Sequence, residues 1–269
     1  MWIYIYLRCY VISSIFYYVS WTDPETLKRS DHACFNHGCI GQLANFSAIE
    51  YVRRKVPPSF RVLHHQVLLG RGSQAFEKAS HLLLSFQAVN TLPNVQIVTQ
   101  QSRPLTPNSS ILTLTQFYNT PLWSVNPCRI VSFVRRSRYV RPGTPADPIK
   151  HTTNQSIPKS GVPTRGMYSE VVFATLEGHL IAGEEAMRVY TVRKSADSTQ
   201  FPFNIISRVS TSLGIPRVGS RDKVYFEVAS YSKGSGLLGR MCMPLIRPLQ
   251  RRFLTDCCNV MCSAVKSTL

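Results

Sequence analysis

The sequence predicts an α+β domain in which antiparallel strands are followed by one long C-terminal helix. Its last two elements carry that expectation most clearly. Val224, Phe226 and Val228 alternate with Tyr225, Glu227 and Ala229, the two-residue period of a strand with one face buried. Leu245, Leu249, Phe253, Cys257, Val260 and Ala264 then recur at helical spacing. They form the apolar stripe of a helix reaching from Pro244–Pro248 to Ala264, with Arg251 and Arg252 on the other face. The third observation is bulk composition. A chain of 269 residues, 44% hydrophobic and 17% charged, can bury a substantial core, which excludes a wholly disordered chain and a polytopic membrane protein. No repeat or heptad run is visible, so solenoids and coiled coils are excluded as well.

The chain opens on an apolar stretch from Trp2 to Trp21, of about 20 residues, enough to cross a bilayer in helical form. Arg8 interrupts it, and Tyr4, Tyr6, Tyr10, Tyr17 and Tyr18 suit an interface better than hydrocarbon. No basic segment precedes it and no small-residue cleavage site is clear, which argues against a standard secretory signal. For residues 1–18 an anchor, a leader and an extension outside the domain stay open, and membrane association through residues 1–21 is an expectation. Thr22-Asp-Pro-Glu-Thr then opens a short helix with a capping residue, a first-turn proline and an acid. His32, Cys34, His37 and Cys39 place soft donors close together, but they lack the two-residue turn usual between zinc-binding thiols. A cysteine-bearing loop is expected there, and no metal. The 8 cysteines show no secreted disulfide framework and read as small hydrophobes, which favours an intracellular setting.

Pro57-Pro58 breaks the chain before a strand over Phe60–Leu69. Gly70-Arg-Gly72 is read as a plain strand-to-helix turn, since it lacks both the third glycine of a dinucleotide loop and the Lys-Ser/Thr of a triphosphate loop. Ser73 caps a helix to Leu84, with Phe76, Ala79 and Leu83 on one face. Strands follow at Val95–Thr99, Ile111–Tyr118 and Arg129–Val134. Residues 135–165 are rich in Pro, Thr, Ser and basic residues without apolar periodicity, and are expected to be an exposed insertion. Val171–Leu176 and His179–Ala182 are strand-like, and Glu185–Arg193 alternates, with Met187, Val189 and Thr191 on one side. Residues 194–222 form a second expected insertion.

The balance of 31 basic against 14 acidic residues gives +17, which attracts polyanions, whether nucleic acid, anionic lipid or an acidic partner. The charge is spread thinly, densest at Arg53-Arg54-Lys55, at Arg135-Arg136 with Arg138 and Arg141, and at Arg247 with Arg251-Arg252. No aromatic residues interleave with glycines as in an RNA-binding sheet, so nucleic acid is disfavoured as partner. A solvated basic surface is expected, with an anionic membrane surface as the alternative.

Read together, Gly178-His-Leu-Ile-Ala-Gly-Glu-Glu185 and Tyr231-Ser232-Lys233, followed by Pro244 and Gln250 in register, carry a family resemblance. Ser20-Trp21, Val67-Leu-Leu-Gly-Arg-Gly72 before Phe76-Glu77-Lys78-Ala79, and Asn126-Pro-Cys-Arg-Ile-Val131 add to it. The chain from about Val19 to Val265 resembles the DUF1990 (UPF0548) family of uncharacterised proteins. Gly178, Gly183, Glu184, Glu185, Ser232, Lys233, Pro244 and Gln250 are its motif positions here. Gly234 stands where the family has proline, Met187 where an aromatic is usual, Phe86 in place of tryptophan and His37 in place of tyrosine. The domain therefore runs over residues 19–269. The resemblance implies a helix-grip fold similar to START and Bet v 1, in which a curved antiparallel sheet wraps a long C-terminal helix, with long loop insertions. It implies no activity.

Adjacent residues on a strand face opposite ways, so if Met187 and Val189 face inward, Glu185 does too and Glu184 points out with Arg188. The structural alternative for Glu185 is an ion pair, or hydrogen bonds to a tight turn at Ala182-Gly183. His179 shares the inward face unless Gly183 reverses the chain. The expected lining of a ligand cavity is Met187, Val189, Phe226, Val228 and Phe253, with Glu185 and His179 as polar groups, and plain core packing of the same residues without any cavity stays open beside it. No Gly-x-Ser-x-Gly elbow or triad is present, Cys257-Cys258 reads as helix packing, and no catalytic residue or cofactor is assigned. The expected function is a non-enzymatic binder of an apolar or amphipathic, lipid-like small molecule, in an apolar void of several hundred cubic ångströms beneath the last helix. An enzyme using Glu185 and a peripheral membrane-surface protein are the alternatives.

Overall fold

The computed structural model describes residues 32–44, 49–99, 105–116, 123–140, 165–192 and 218–267. The apolar stretch at 2–21 and the short helix at Thr22 lie outside the described residues, as do positions 141–164 and 194–217 of the two expected insertions. Among the described residues the elements are α1 (Ile49–Lys55), β1 (Arg61–Arg71), α2 (Gly72–Leu84), α3 (Gln87–Asn90), β2 (Val95–Thr99), β3 (Ser110–Gln116), β4 (Trp123–Val140), β5 (Arg165–Thr175), β6 (Ile181–Val192), β7 (Lys223–Gly234) and α4 (Gly236–Lys266). The strands form one antiparallel sheet in the order β1-β7-β6-β5-β4-β3-β2. The register shifts at Leu68/Gly70, Ile130/Ser132 and Val134/Ser137, bulges that bend strands, and the sheet curls into a half-barrel around the C-terminal helix.

The two faces of the sheet bury different partners. Met187, Val189, Phe226 and Val228 share the concave face and pack in one cluster with Phe76, Ala79 and Leu83 of α2 and with Leu254, Cys257 and Met261 of α4. Helix α2 therefore fills part of the space expected to lie hollow beneath α4. On the convex face Val172, Ala186, Ala229 and Tyr231 are covered by Leu43, Val52, Val56 and Phe60. Arg188 and Glu184, expected to point to solvent, lie beneath that cover at 1% and 2% exposure. Strand alternation placed both on the correct face, but it cannot tell that the preceding chain folds over it.

Three boundaries differ from expectation for identifiable reasons. Strand β4 continues to Val140, so residues 135–140 are strand and not insertion; the run Arg135-Arg136-Ser-Arg138 hides the period. Strand β6 passes straight through Gly183 without a turn. The glycine is there because a Cβ would collide with the Tyr231 carbonyl of β7. Helix α2 begins at Gly72, at φ +82°, so Ser73 is its second residue and not its cap.

Helix α4 begins at Gly236, ahead of both prolines, and holds Pro244 and Pro248 inside it. Its expected stripe also turns. At 3.6 residues per turn Leu245 lies about 120° from Cys257 around the axis, whereas Ile246 lies within about 20° of it. Leu245 is accordingly 62% exposed and Ile246 8%. The start of α4 is seated on the β5–β6 turn, where the Ser235 amide donates to the Leu180 carbonyl at 2.9 Å. A Cβ on Gly239 would collide with that same oxygen. Gly239→Ala is expected to lower stability by about 1–3 kcal/mol in urea denaturation, the usual cost of overpacking. Gly38→Ala, with nothing within 4 Å of the new methyl, is expected to leave it unchanged.

Candidate functional site

Where α2 stops filling the concave face, a cavity of about 140 Å³ remains between the sheet and the middle of α4. Phe173, Glu185 and Ser230 form one cross-strand row over β5, β6 and β7 and line it. Cys128 and Asn126 of β4 continue that wall, and Ile246, Leu249, Gln250 and Phe253 of α4 close the other side. His179, Leu180 and Ile181 bring the β5–β6 turn to the rim.

Glu185 is the polar centre of this wall. The residue keeps some exposure, but its Oε1 is sealed and meets no protein hydrogen-bond partner. The Ser230 hydroxyl, on the residue paired with Glu185 in the sheet, is buried and unsatisfied in the same way. Burial alone pushes the Glu185 carboxyl up to about 8, so at neutral pH the protonated form predominates. Two buried polar groups left without partners are costly, and native folds rarely tolerate them away from sites that use them.

His179 accepts from the Ile181 amide through Nδ1 at 3.1 Å, which leaves the ring proton on Nε2, and burial lowers its pKa to about 3. The ring is neutral and fixed. Phe253 joins Glu185 and His179 on the wall. Met187, Val189, Phe226 and Val228 do not line the cavity; they are fully buried in the α2-packed core. Cys257 and Cys258 are buried in that core too, with both thiols pushed up by burial.

The motif positions divide between scaffold and cavity. Ser232 and Gln250, 18 positions apart, meet at 3.1 Å where the Gln250 amide donates to the serine hydroxyl. Arg247 donates to that hydroxyl at 2.8 Å and to the Ser232 carbonyl at 2.6 Å, tying α4 to β7 beside the cavity. Lys233 places its ammonium 4.7 Å from the Phe60 ring. Gly178 turns the chain at φ +89°, and Pro244 sits exposed inside α4.

Glu184 serves the opposite face: its carboxylate accepts the Gly41 and Leu43 amides and fastens the loop that covers the sheet. His37 donates from Nε2 to the Gly183 carbonyl at 2.9 Å, and its Nδ1 accepts the Cys39 amide. Both ring nitrogens are thus used in the same cover. Among the described residues no group of three or more His, Cys, Asp or Glu side chains gathers to hold a metal. Sequence reasoning missed Arg247 as a tie and Ser230 as Glu185's neighbour. The register of β6 on β7 is the signal that pairs the latter.

A curled antiparallel sheet gripping its C-terminal helix over a residual cavity defines a helix-grip protein. The family model described as a domain of unknown function, DUF1990, matches residues 45–260, and the chain belongs to that family. Solved structures of the Bet v 1-like kind are similar to it at low identity. A hypothetical protein from Helicobacter pylori aligns at 8% identity over 82% of this chain and 98% of its own, with a TM-score of 0.41. A truncated norcoclaurine synthase from Thalictrum flavum aligns at 9% over 78% and 96%, TM-score 0.38. The Zhui aromatase/cyclase from Streptomyces aligns at 7% over 77% and 94%, TM-score 0.39. No curated protein matches the chain in sequence.

Proposed function

We propose that the protein is a non-enzymatic binding module that holds an apolar or amphipathic small molecule in the cavity between the sheet and α4. The observation that carries this reading is the Glu185 carboxyl in an otherwise largely apolar wall, with Oε1 sealed and unpartnered and the Ser230 hydroxyl beside it. A ligand with a polar group on an apolar body satisfies both at once. The cavity volume of about 140 Å³ is smaller than the several hundred cubic ångströms expected from sequence. It is close to that of an engineered void of about 150 Å³ that admits benzene, so the buried part of the ligand is of single-ring size.

The test is native mass spectrometry of the purified full chain together with a calorimetric titration of phenol, a single-ring probe with one polar group. The wild type is expected to bind phenol, and Leu249→Trp, which fills the cavity from α4, to bind it at least about tenfold more weakly. A wild type that neither carries a small-molecule mass nor binds phenol, or a Leu249→Trp variant that binds as the wild type does, would defeat the reading.

The second reading is an enzyme that uses the same carboxyl as acid or base. What favours it is a carboxyl poised near neutral pH, at about 8. It predicts that Glu185→Gln keeps ligand binding and abolishes turnover of that ligand.

A further inference from the structure

Four of the six large hydrophobic side chains exposed among the described residues stand on one short piece of α4: Leu237 at 78%, Leu238 at 37%, Met241 at 66% and Leu245 at 62%. At about 100° per residue these four span roughly a quarter to a third of the helix circumference and form one continuous ridge along its first turns. Arg240, Arg247 and Arg251 fall on a second ridge alongside, within about 40° of one another. From Gly236 to Thr255 the helix carries Arg240, Arg247, Arg251 and Arg252 and not one acidic residue. Arg61 of β1 stands opposite Ser232, which Arg247 holds, so a further guanidinium extends the basic side onto the sheet edge. The remaining side of this helix is committed, with Ile246, Leu249 and Phe253 turned to the cavity.

We propose that the first half of α4 is a peripheral docking face for an anionic lipid bilayer. Its leucines and Met241 enter the headgroup boundary, and Arg240, Arg251 and Arg61 meet the lipid phosphates and carboxylates. An amphipathic helix lying in the interface needs this combination of an apolar ridge and a basic flank. Charge selects this occupant over a second copy of the chain, because two such faces brought together would oppose their own arginine rows. Nucleic acid fits poorly, since an aliphatic ridge neither neutralises phosphates nor stacks on bases. Among the described residues no helix is long and apolar enough to cross a membrane. Docking here also brings the α4 wall of the cavity to the bilayer surface. This proposal stands apart from the ligand reading, because the docking residues do not line the cavity.

The experiment is flotation of the full chain with vesicles of mixed phosphatidylcholine and phosphatidylserine, against phosphatidylcholine alone, at low and high salt. The wild type is expected to float with the anionic vesicles and to be released by salt. Leu237→Asp with Met241→Asp is expected to weaken that binding at least about tenfold while leaving phenol binding unchanged. Both side chains are exposed, so circular dichroism is expected to match the wild type. Leu237→Trp is a second reading of the same contact, with an emission blue shift expected on anionic vesicles. A wild type that stays with the neutral fraction overturns the proposal. So does flotation undiminished in the double variant, which places the contact elsewhere, for example in residues 1–21. A concentration-dependent dimer abolished by the double variant, without flotation of the wild type, overturns it in favour of a second copy.

Discussion

Arg188→Met is expected to destabilise the fold by about 3–5 kcal/mol, the loss typical of breaking a buried charge network from one side. The guanidinium is 1% exposed. It donates from Nε to Glu170 at 2.8 Å, from Nη1 to Glu227 at 2.7 Å and from Nη2 to the Leu43 carbonyl. Burial works against its charge, but Glu227 and Glu170 outweigh that and hold it protonated. Glu170 is itself fully buried and accepts a further hydrogen bond from Ser132 at 2.9 Å, while His64 lies 3.4 Å from Glu227. Removing the arginine leaves two carboxylates facing each other under the N-terminal cover and also cuts that cover's bond at Leu43. Converting the set together, Arg188→Met with Glu170→Leu and Glu227→Gln, is expected to recover most of the loss, because a removed network leaves no orphaned charge. Urea denaturation measures both. A single variant as stable as the wild type would show that the network contributes nothing to holding the cover on the sheet.

That network also marks the limit of what the sequence made legible. Alternation along β6 and β7 was readable, because strand period is a local property. The same alternation correctly set Glu185 with Met187 and Val189, and Glu184 with Arg188. What it could not supply was the depth of material on each face. Ion pairing between Arg188 and Glu170 depends on β5 lying beside β6, and its burial depends on Leu43 and Phe60 folding over both. Likewise Met187 and Phe226 were sound as inward residues, yet only the docking of α2 decides that they meet Phe76 and not a ligand. Helix α4 misled for a geometric reason. Steps of four residues drift about 40° each against the helical repeat, so an apolar run that reads as one stripe twists from the core at Cys257 to solvent at Leu245. The prolines at 244 and 248 reinforced the error by suggesting a helix start, whereas the start at Gly236 is fixed by its contact with the β5–β6 turn.

Wild-type stability is expected to fall on the order of 5 kcal/mol between pH 4.5 and 8 through Glu185 alone, and Glu185→Gln is expected to remove that slope. The carboxyl titrates at 4.5 in an ordinary setting and at about 8 in the folded chain, with burial as the cause. Within that window the folded chain keeps a proton that the unfolded chain has released, so each rise in pH favours unfolding. The contribution is whole below 4.5, declines toward 8 and is constant beyond. His179 acts in the opposite sense. Its folded value is lowered from 6.5 to about 3, so its contribution is whole above 6.5 and is lost as pH falls toward 3. Subtracting the urea-denaturation pH profile of Glu185→Gln from that of the wild type isolates the carboxyl, and a flat difference would mean that Glu185 is solvated in the folded state. The same linkage reports on the ligand proposed for the cavity. A molecule that presents a hydrogen-bond acceptor binds the protonated acid and is released above pH 8. One that presents an amine favours the carboxylate, binds more tightly as pH rises toward 8, and erases the stability slope when bound. The direction of that single pH effect separates the two chemistries proposed for the cavity, because Glu185 Oε1 and the Ser230 hydroxyl are the buried polar atoms of the wall left without a protein partner.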